Sequence, residues 1–110
     1  MKEYLFSYGT LQKEEIQLDL FGRILEGSND VLRGYKVSTI EITDRTFLSK
    51  SEGKYQKTLI ISDDNHVVYG TALEITDGEL LVADKYEPEN YKRINVVLES
   101  GKKAWIYVAY

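Results

Sequence analysis

The segment from Thr76 to Pro88 has both ends fixed by local chemistry, and it sets the terms for the rest of the 110-residue chain. Thr76-Asp77-Gly78-Glu79 carries the spacing of a capping box, in which hydroxyl and carboxylate satisfy backbone N–H groups at the start of a helix. The run Leu80-Leu81-Val82-Ala83-Asp84-Lys85-Tyr86 continues that helix. It has to stop at Glu87, because Pro88, the only proline, has no N–H and drives the residue before it out of the helical region.

A second helix is predicted over Lys13 to Phe21. Ile16, Leu20 and Phe21 recur there at helical spacing, and Glu14 and Glu15 sit where the macrodipole favours negative charge. Gly22 and then Gly27-Ser28-Asn29-Asp30 break the pattern. The remaining runs are rich in Tyr, Val, Ile and Thr and read as strands: Glu3 to Tyr8, Tyr35 to Ile42, Tyr55 to Ser62, Val67 to Ile75, Tyr91 to Leu98 and Ala104 to Tyr110. Asp63-Asp64-Asn65-His66 predicts a hairpin turn between the third and fourth of these, and Glu99-Ser100-Gly101-Lys102 another between the last two. Thr43 to Lys54, polar apart from Phe47 and Leu48, is expected as a loop or short irregular strand bordering a pocket.

Helices are few and do not alternate with strands, which argues against a doubly wound parallel sheet. The expected class is α+β: one domain over residues 1–110, a small mainly antiparallel β-barrel with two flanking helices.

Composition removes several function classes. The chain has no cysteine and one histidine, so disulfides, thiolate nucleophiles and cysteine-based zinc sites are out, and neither metal nor cofactor is expected. His66 reads as an exposed turn residue, since no triad partner or second metal ligand accompanies it. A net charge of −4 without a basic cluster argues against nucleic acid. Apolar runs such as Leu80-Leu81-Val82-Ala83 are far below the ~20 residues of a membrane helix. Met1-Lys2-Glu3 lacks a secretory pattern, so a cytoplasmic protein with a small-molecule partner is expected.

Two features can carry chemistry. Tyr8-Gly9-Thr10-Leu11 ends the first strand in glycine, which reaches φ > 0 at low cost and lets a ligand approach main-chain N–H groups. Taken alone, it equally suits an ordinary turn. Glu87 is a carboxylate at the helix end the macrodipole disfavours, an arrangement suited to a general base, although a solvated helix end fits too. Tyr91 and Arg93, on one face of the next strand, are placed to orient a carboxylate or to pair across the sheet.

Four motifs follow one another in order: Tyr8-Gly9-Thr10-Leu11, Gly34-Tyr35, Val68-Tyr69-Gly70-Thr71-Ala72-Leu73-Glu74-Ile75, and Asp84-Lys85-Tyr86-Glu87-Pro88-Glu89-Asn90-Tyr91-Lys92-Arg93. Together they resemble the γ-glutamylcyclotransferase / AIG2-like family across almost the whole chain. The resemblance implies a barrel with a cavity, a Tyr8 to Leu11 loop that cradles a γ-glutamyl group with backbone N–H donors, and Glu87 of a D-x-x-E motif as catalytic acid/base. Tyr91 is assigned to the substrate as well. The implied products are 5-oxoproline and a free amine or amino acid. The nucleophile is then the substrate's own α-amine, so the protein needs no serine, cysteine or metal. Two departures stand out: Pro88 where the family commonly has Gly, and Gln12 with Glu14 and Glu15 in place of a more basic run. The alternative is a non-catalytic small-ligand-binding module on the same barrel, which would have no need to keep Glu87.

Overall fold

The computed structural model describes residues 2–41, 55–63, 65–87 and 91–109. In chain order the elements are β1 (Lys2–Ser7), a single 3-10 turn (Thr10–Gln12), α1 (Glu14–Phe21), β2 (Gly27–Arg33), β3 (Tyr35–Glu41), β4 (Tyr55–Ile61), β5 (Val67–Thr76), α2 (Asp77–Tyr86), β6 (Tyr91–Val97) and β7 (Lys103–Ala109). Five strands form one sheet in the order β2-β5-β1-β7-β6. Only the β1–β7 neighbours are parallel; the other three pairs are antiparallel.

The central strands are covered on both faces, so alternate residues feed two cores. Phe6, Val68, Ala72, Ile106 and Val108 turn to one side, where Leu32 and Leu59 join them. Leu5, Leu73, Ile75 and Tyr107 turn to the other, where α2 adds Leu80 and Ala83. Phe6 and Leu5 are each 1% exposed, and each such side chain contributes about 1.5–3 kcal/mol through burial.

Both helix-end readings are realised. Glu79 N donates to Thr76 Oγ1 and Thr76 N to Glu79 Oε1, both at 3.1 Å, which completes the capping box. At the far end Glu87 N donates to Ala83 O at 3.2 Å, while Glu87 itself has left the helix at φ −71°, ψ 149°. That is the extended backbone expected ahead of a proline; Pro88, and with it the effect of its replacing glycine, lies outside the described residues. So does the predicted loop Thr43 to Lys54. Among the described residues no helix is long and apolar enough to cross a membrane.

Two expectations need correction. The strands flanking Asp63 and His66 exist but are not partners in a hairpin: β4 pairs with β3, and β5 pairs with β2 and β1. The cause is Gly34, at φ 88°, where β2 and β3 meet as one bent ribbon. Its N–H donates to His66 O at 2.9 Å and its carbonyl accepts from Ser62 N at 2.8 Å, which pins the turn to the bend. The bend also brings β4 towards β7, where Ala109 N donates to Thr58 Oγ1 at 2.8 Å. The described strands therefore curl as a barrel would, but the sheet is not closed by a backbone ladder, and β3–β4 forms a separate two-stranded sheet.

The second correction is β2, where the sequence predicts only a break. Its Asp30 is 7% exposed, with Oδ2 accepting from Ser100 Oγ at 2.5 Å and Oδ1 from Val31 N at 2.8 Å. The residue that looks like a turn former is instead tied to the β6–β7 connection.

Gly70 and Gly78 separate close packing from plain helix propensity. A Cβ on Gly70 would lie 2.4 Å from Ser7 O and 2.8 Å from Phe6 Cζ, whereas one on Gly78 meets nothing within 4 Å. Gly70→Ala is expected to cost about 2–3 kcal/mol in urea unfolding, and Gly78→Ala to gain up to about 1 kcal/mol. Equal effects of the two would refute the close approach of β5 to Ser7.

Candidate active site

The loop after β1 and the residue after α2 come together on one side of the sheet. Gly9 has φ −140°, not the positive value anticipated, and a Cβ there would meet nothing within 4 Å. What the glycine supplies is open space over the backbone. The 3-10 turn that follows leaves its first N–H groups without partners inside the turn, as at any helical start. Its C-terminal side is closed: Gln12 N and Gln12 Nε2 both donate to Gly9 O, at 3.2 Å each, and Thr71 Oγ1 donates to Gln12 Oε1 at 2.9 Å. Gln12, which departs from the resembled pattern, thus straps the loop to β5. Beneath the loop, buried Gln17 donates to Leu11 O and accepts from Leu25 N, both at 2.8 Å. Leu11 itself is 4% exposed and packs in the core, so only its backbone is available to a ligand.

Thr10 Oγ1 and Tyr86 Oη share a hydrogen bond at 3.0 Å, which ties the loop to the last residue of α2, next to Glu87. Tyr8 Oη donates to Tyr107 O at 2.6 Å, and Tyr91 Oη to Lys57 O at 2.7 Å. The two hydroxyls are thereby spent within the protein, and the Tyr91 ring is left as a wall of the cleft beside Glu87.

Glu87 and Tyr91 line an open cleft of about 270 Å³ together with Asp84, Lys92, Arg93, Trp105 and Tyr107. The Tyr8 to Leu11 loop does not line this cleft; Tyr8 interacts electrostatically with Glu87 and Tyr91. Burial of the Glu87 carboxyl, with the Asp84 charge adding to it, pushes its pKa up to about 7. Glu87 as a whole residue is of intermediate exposure. Burial also raises Tyr8, Tyr91 and Tyr107, so all three stay neutral hydroxyls at physiological pH.

Asp84 and Arg93 show which of the two strand-face roles Arg93 takes. Arg93 Nε and Nη2 donate to the two Asp84 oxygens at 2.8 and 3.0 Å, and Tyr107 Oη donates to Asp84 Oδ1 at 2.7 Å. Its guanidinium lies 4.4 Å from the Trp105 ring centroid. Tyr107 and Trp105 were not singled out by sequence reasoning. The available signal was the alternation of aromatic residues along the return strand, which puts Tyr107 opposite Arg93. His66 is exposed, and both Ser62 Oγ (2.9 Å) and Asp63 Oδ1 (3.0 Å) bond its Nδ1, so the ring relays nothing between them.

The raised Glu87 has a consequence for stability. Its ordinary value is 4.5, against about 7 in the fold. Between these values the folded state keeps a proton that the unfolded chain has released, so this contribution is present at low pH and lost as pH rises through the window. The loss is on the order of 3 kcal/mol. Relative to wild type, Glu87→Gln should therefore gain stability by roughly that amount in urea unfolding between about pH 5 and about pH 8. A pH-independent difference would contradict a desolvated carboxyl.

Comparison with known proteins agrees with this architecture. Residues 5–110 match the family described as "Gamma-glutamyl cyclotransferase, AIG2-like". A protein of Methanocaldococcus jannaschii described as a gamma-glutamylcyclotransferase and putative RNase is 29% identical over 111 residues, spanning 97% of this chain. The chain covers only 45% of that relative's length. Among solved structures, one from Arabidopsis thaliana superposes with a TM-score of 0.75 at 20% identity, covering 99% of this chain and 62% of that one. Another, titled gamma-glutamyl cyclotransferase, gives 0.73 at 14% identity, covering 100% and 68%. At these identities the two structures support the fold alone.

Proposed function

The chain belongs to the gamma-glutamyl cyclotransferase, AIG2-like family, and from that premise we propose that it releases 5-oxoproline from a γ-glutamyl amine or γ-glutamyl peptide, with Glu87 as general acid/base. The observation carrying this reading is a single carboxyl at the cleft whose pKa, about 7, lets it take and return a proton near neutrality.

The Glu87 carboxylate removes a proton from the substrate's α-ammonium. The freed amine attacks the γ-carbonyl carbon, forming the new C–N bond of a five-membered lactam and moving the carbonyl electrons onto oxygen. Collapse of this oxyanion breaks the original γ-amide C–N bond as protonated Glu87 gives its proton to the departing nitrogen. Glu87 then takes the second proton from the ring nitrogen, leaving the lactam N–H, and passes it to the freed amine, which departs as an ammonium. Charge and atoms balance, and the carboxylate is restored. The N–H groups of Thr10 and Leu11 hold the glutamyl end or the oxyanion, that of Gly9 being engaged with Ser7 Oγ at 3.4 Å. The ring of Tyr91 shapes a wall against which the substrate folds, since its hydroxyl is already engaged. Because attack is intramolecular, holding the bent conformer recovers much of the ~7–11 kcal/mol that orientation can supply.

Incubation with a panel of γ-glutamyl amines and dipeptides, assayed for 5-oxoproline, tests the reading. Glu87→Gln is expected to lower the rate by about 10²–10⁴-fold with circular dichroism unchanged. Wild-type kcat/KM should fall about tenfold per pH unit below the Glu87 pKa of about 7. Release of no 5-oxoproline from any panel member would leave the non-catalytic ligand-binding reading in its place. Equal activity of the Gln variant would remove Glu87 from the mechanism.

A further inference from the structure

Glu87 shares its cleft with a second carboxylate three residues earlier on the same helix. Asp84 and Glu87 have the same charge and adjacent positions, yet their surroundings differ completely. Asp84 receives both arms of the Arg93 guanidinium and the Tyr107 hydroxyl, three hydrogen bonds between 2.7 and 3.0 Å. The guanidinium itself lies over the Trp105 ring, 4.4 Å from its centroid, and a fork of this kind fixes both charge and geometry. Burial works against the Asp84 anion, but the Arg93 and Tyr107 hydrogen bonds outweigh it, so its carboxyl lies below the ordinary range.

We propose that Asp84 is a positioning residue of this site: an anion locked by Arg93 and Tyr107 one helical turn before Glu87, which keeps the proton on Glu87 without touching the substrate. The inference rests on Glu87 as the proton carrier and assigns the origin of that capacity. Like charges close together cannot both ionise freely, and the one with the better hydrogen bonds keeps its charge.

The groups facing Glu87 come from every element around it. Tyr8 follows β1, Asp84 and Tyr86 belong to α2, Tyr91, Lys92 and Arg93 to β6, and Tyr107 to β7. Burial raises each of the four tyrosines, which therefore remain uncharged. Arg93 is the cation paired with Asp84, and Lys92 is the second cation of the cleft. Removing the Asp84 charge and removing its Arg93 partner therefore act on Glu87 in opposite directions, which a general loosening of the fold would not do.

The test is a ¹³C NMR titration of the Glu87 carboxyl in the full chain without substrate. Asp84→Asn is expected to lower the Glu87 midpoint by about one pH unit, and Arg93→Gln to raise it by roughly half a unit or more. In activity profiles the acid limb of kcat/KM should move with each midpoint. A midpoint within ~0.3 units of wild type in Asp84→Asn, or shifts of the same sign in both variants, overturns the proposal. If Asp84→Asn does not fold, Arg93→Gln decides alone: a rise supports the proposal, and no change or a fall overturns it. Because the titration needs no turnover, failure to find 5-oxoproline would count against the proposed reaction and leave the role of Asp84 to be read independently.

Discussion

A length match between β1 and α2 governs where everything else can sit. β1 and β5 are antiparallel, with Lys2 opposite Thr76 and Ser7 opposite Thr71. α2 therefore starts beside the beginning of β1 and runs back towards its end. Ten helical residues advance about 15 Å, and six strand residues span roughly 17–20 Å. The helix runs out level with the loop that leaves β1, and Thr10 and Tyr86 meet there. A proline one turn later would carry the carboxylate past the loop, and one a turn earlier would leave it short.

That geometry creates an electrostatic problem as well as a site. A carboxylate at the C-terminal end of a helix faces the negative pole of the macrodipole, and Glu87 also has Asp84 one turn behind it. Helix ends of this kind usually carry a cation. The last turn of α2 has its own cation in Lys85, but the one paired with Asp84 is Arg93 of β6, which leaves Glu87 to respond by holding its proton. Two carboxylates whose ordinary values, 3.8 and 4.5, differ little are thus separated by the ownership of one guanidinium.

Sequence carried the helix ends well because both depend on residues within four positions of each other: Thr76 with Glu79, and Glu87 with Pro88. It joined Tyr8, Thr10, Tyr91 and Glu87 only as an ordered pattern; in the fold Tyr91 shares the Glu87 cleft and Thr10 reaches Tyr86 beside it, while the Tyr8 to Leu11 loop stays outside the lining. It did not carry β2, because Gly27-Ser28-Asn29-Asp30 has turn chemistry and becomes a strand only through β5 beside it and Ser100 across from Asp30. Nor did it show that Gly34 bends one ribbon and so takes β4 away from β5. The Asp84–Arg93–Tyr107 cluster was half visible: Arg93 was marked for a carboxylate, but Tyr107 needed the register of the β6–β7 pair.

The cost of the Glu87 site bears on why its support is so extensive. A desolvated carboxyl that ionises at about 7 withdraws on the order of 3 kcal/mol from the folded state above that pH, a sizeable part of the 5–15 kcal/mol typical of a whole domain. The opposing contributions lie around it: a complete capping box at the start of α2, the Arg23 fork onto Glu79, and the Arg93 fork onto Asp84 near its end. An isolated exposed ion pair contributes little, but forked pairs at both ends of one ten-residue helix restrict how that helix can fray. Fraying is what would let Glu87 reach bulk water and return to an ordinary acidity. The stability of α2 and the proton affinity of Glu87 are in this way coupled at the start of the helix, where the capping box and the Arg23 fork oppose fraying. At its end, by contrast, loss of Arg93 also bares the Asp84 charge, which works in the opposite direction on Glu87.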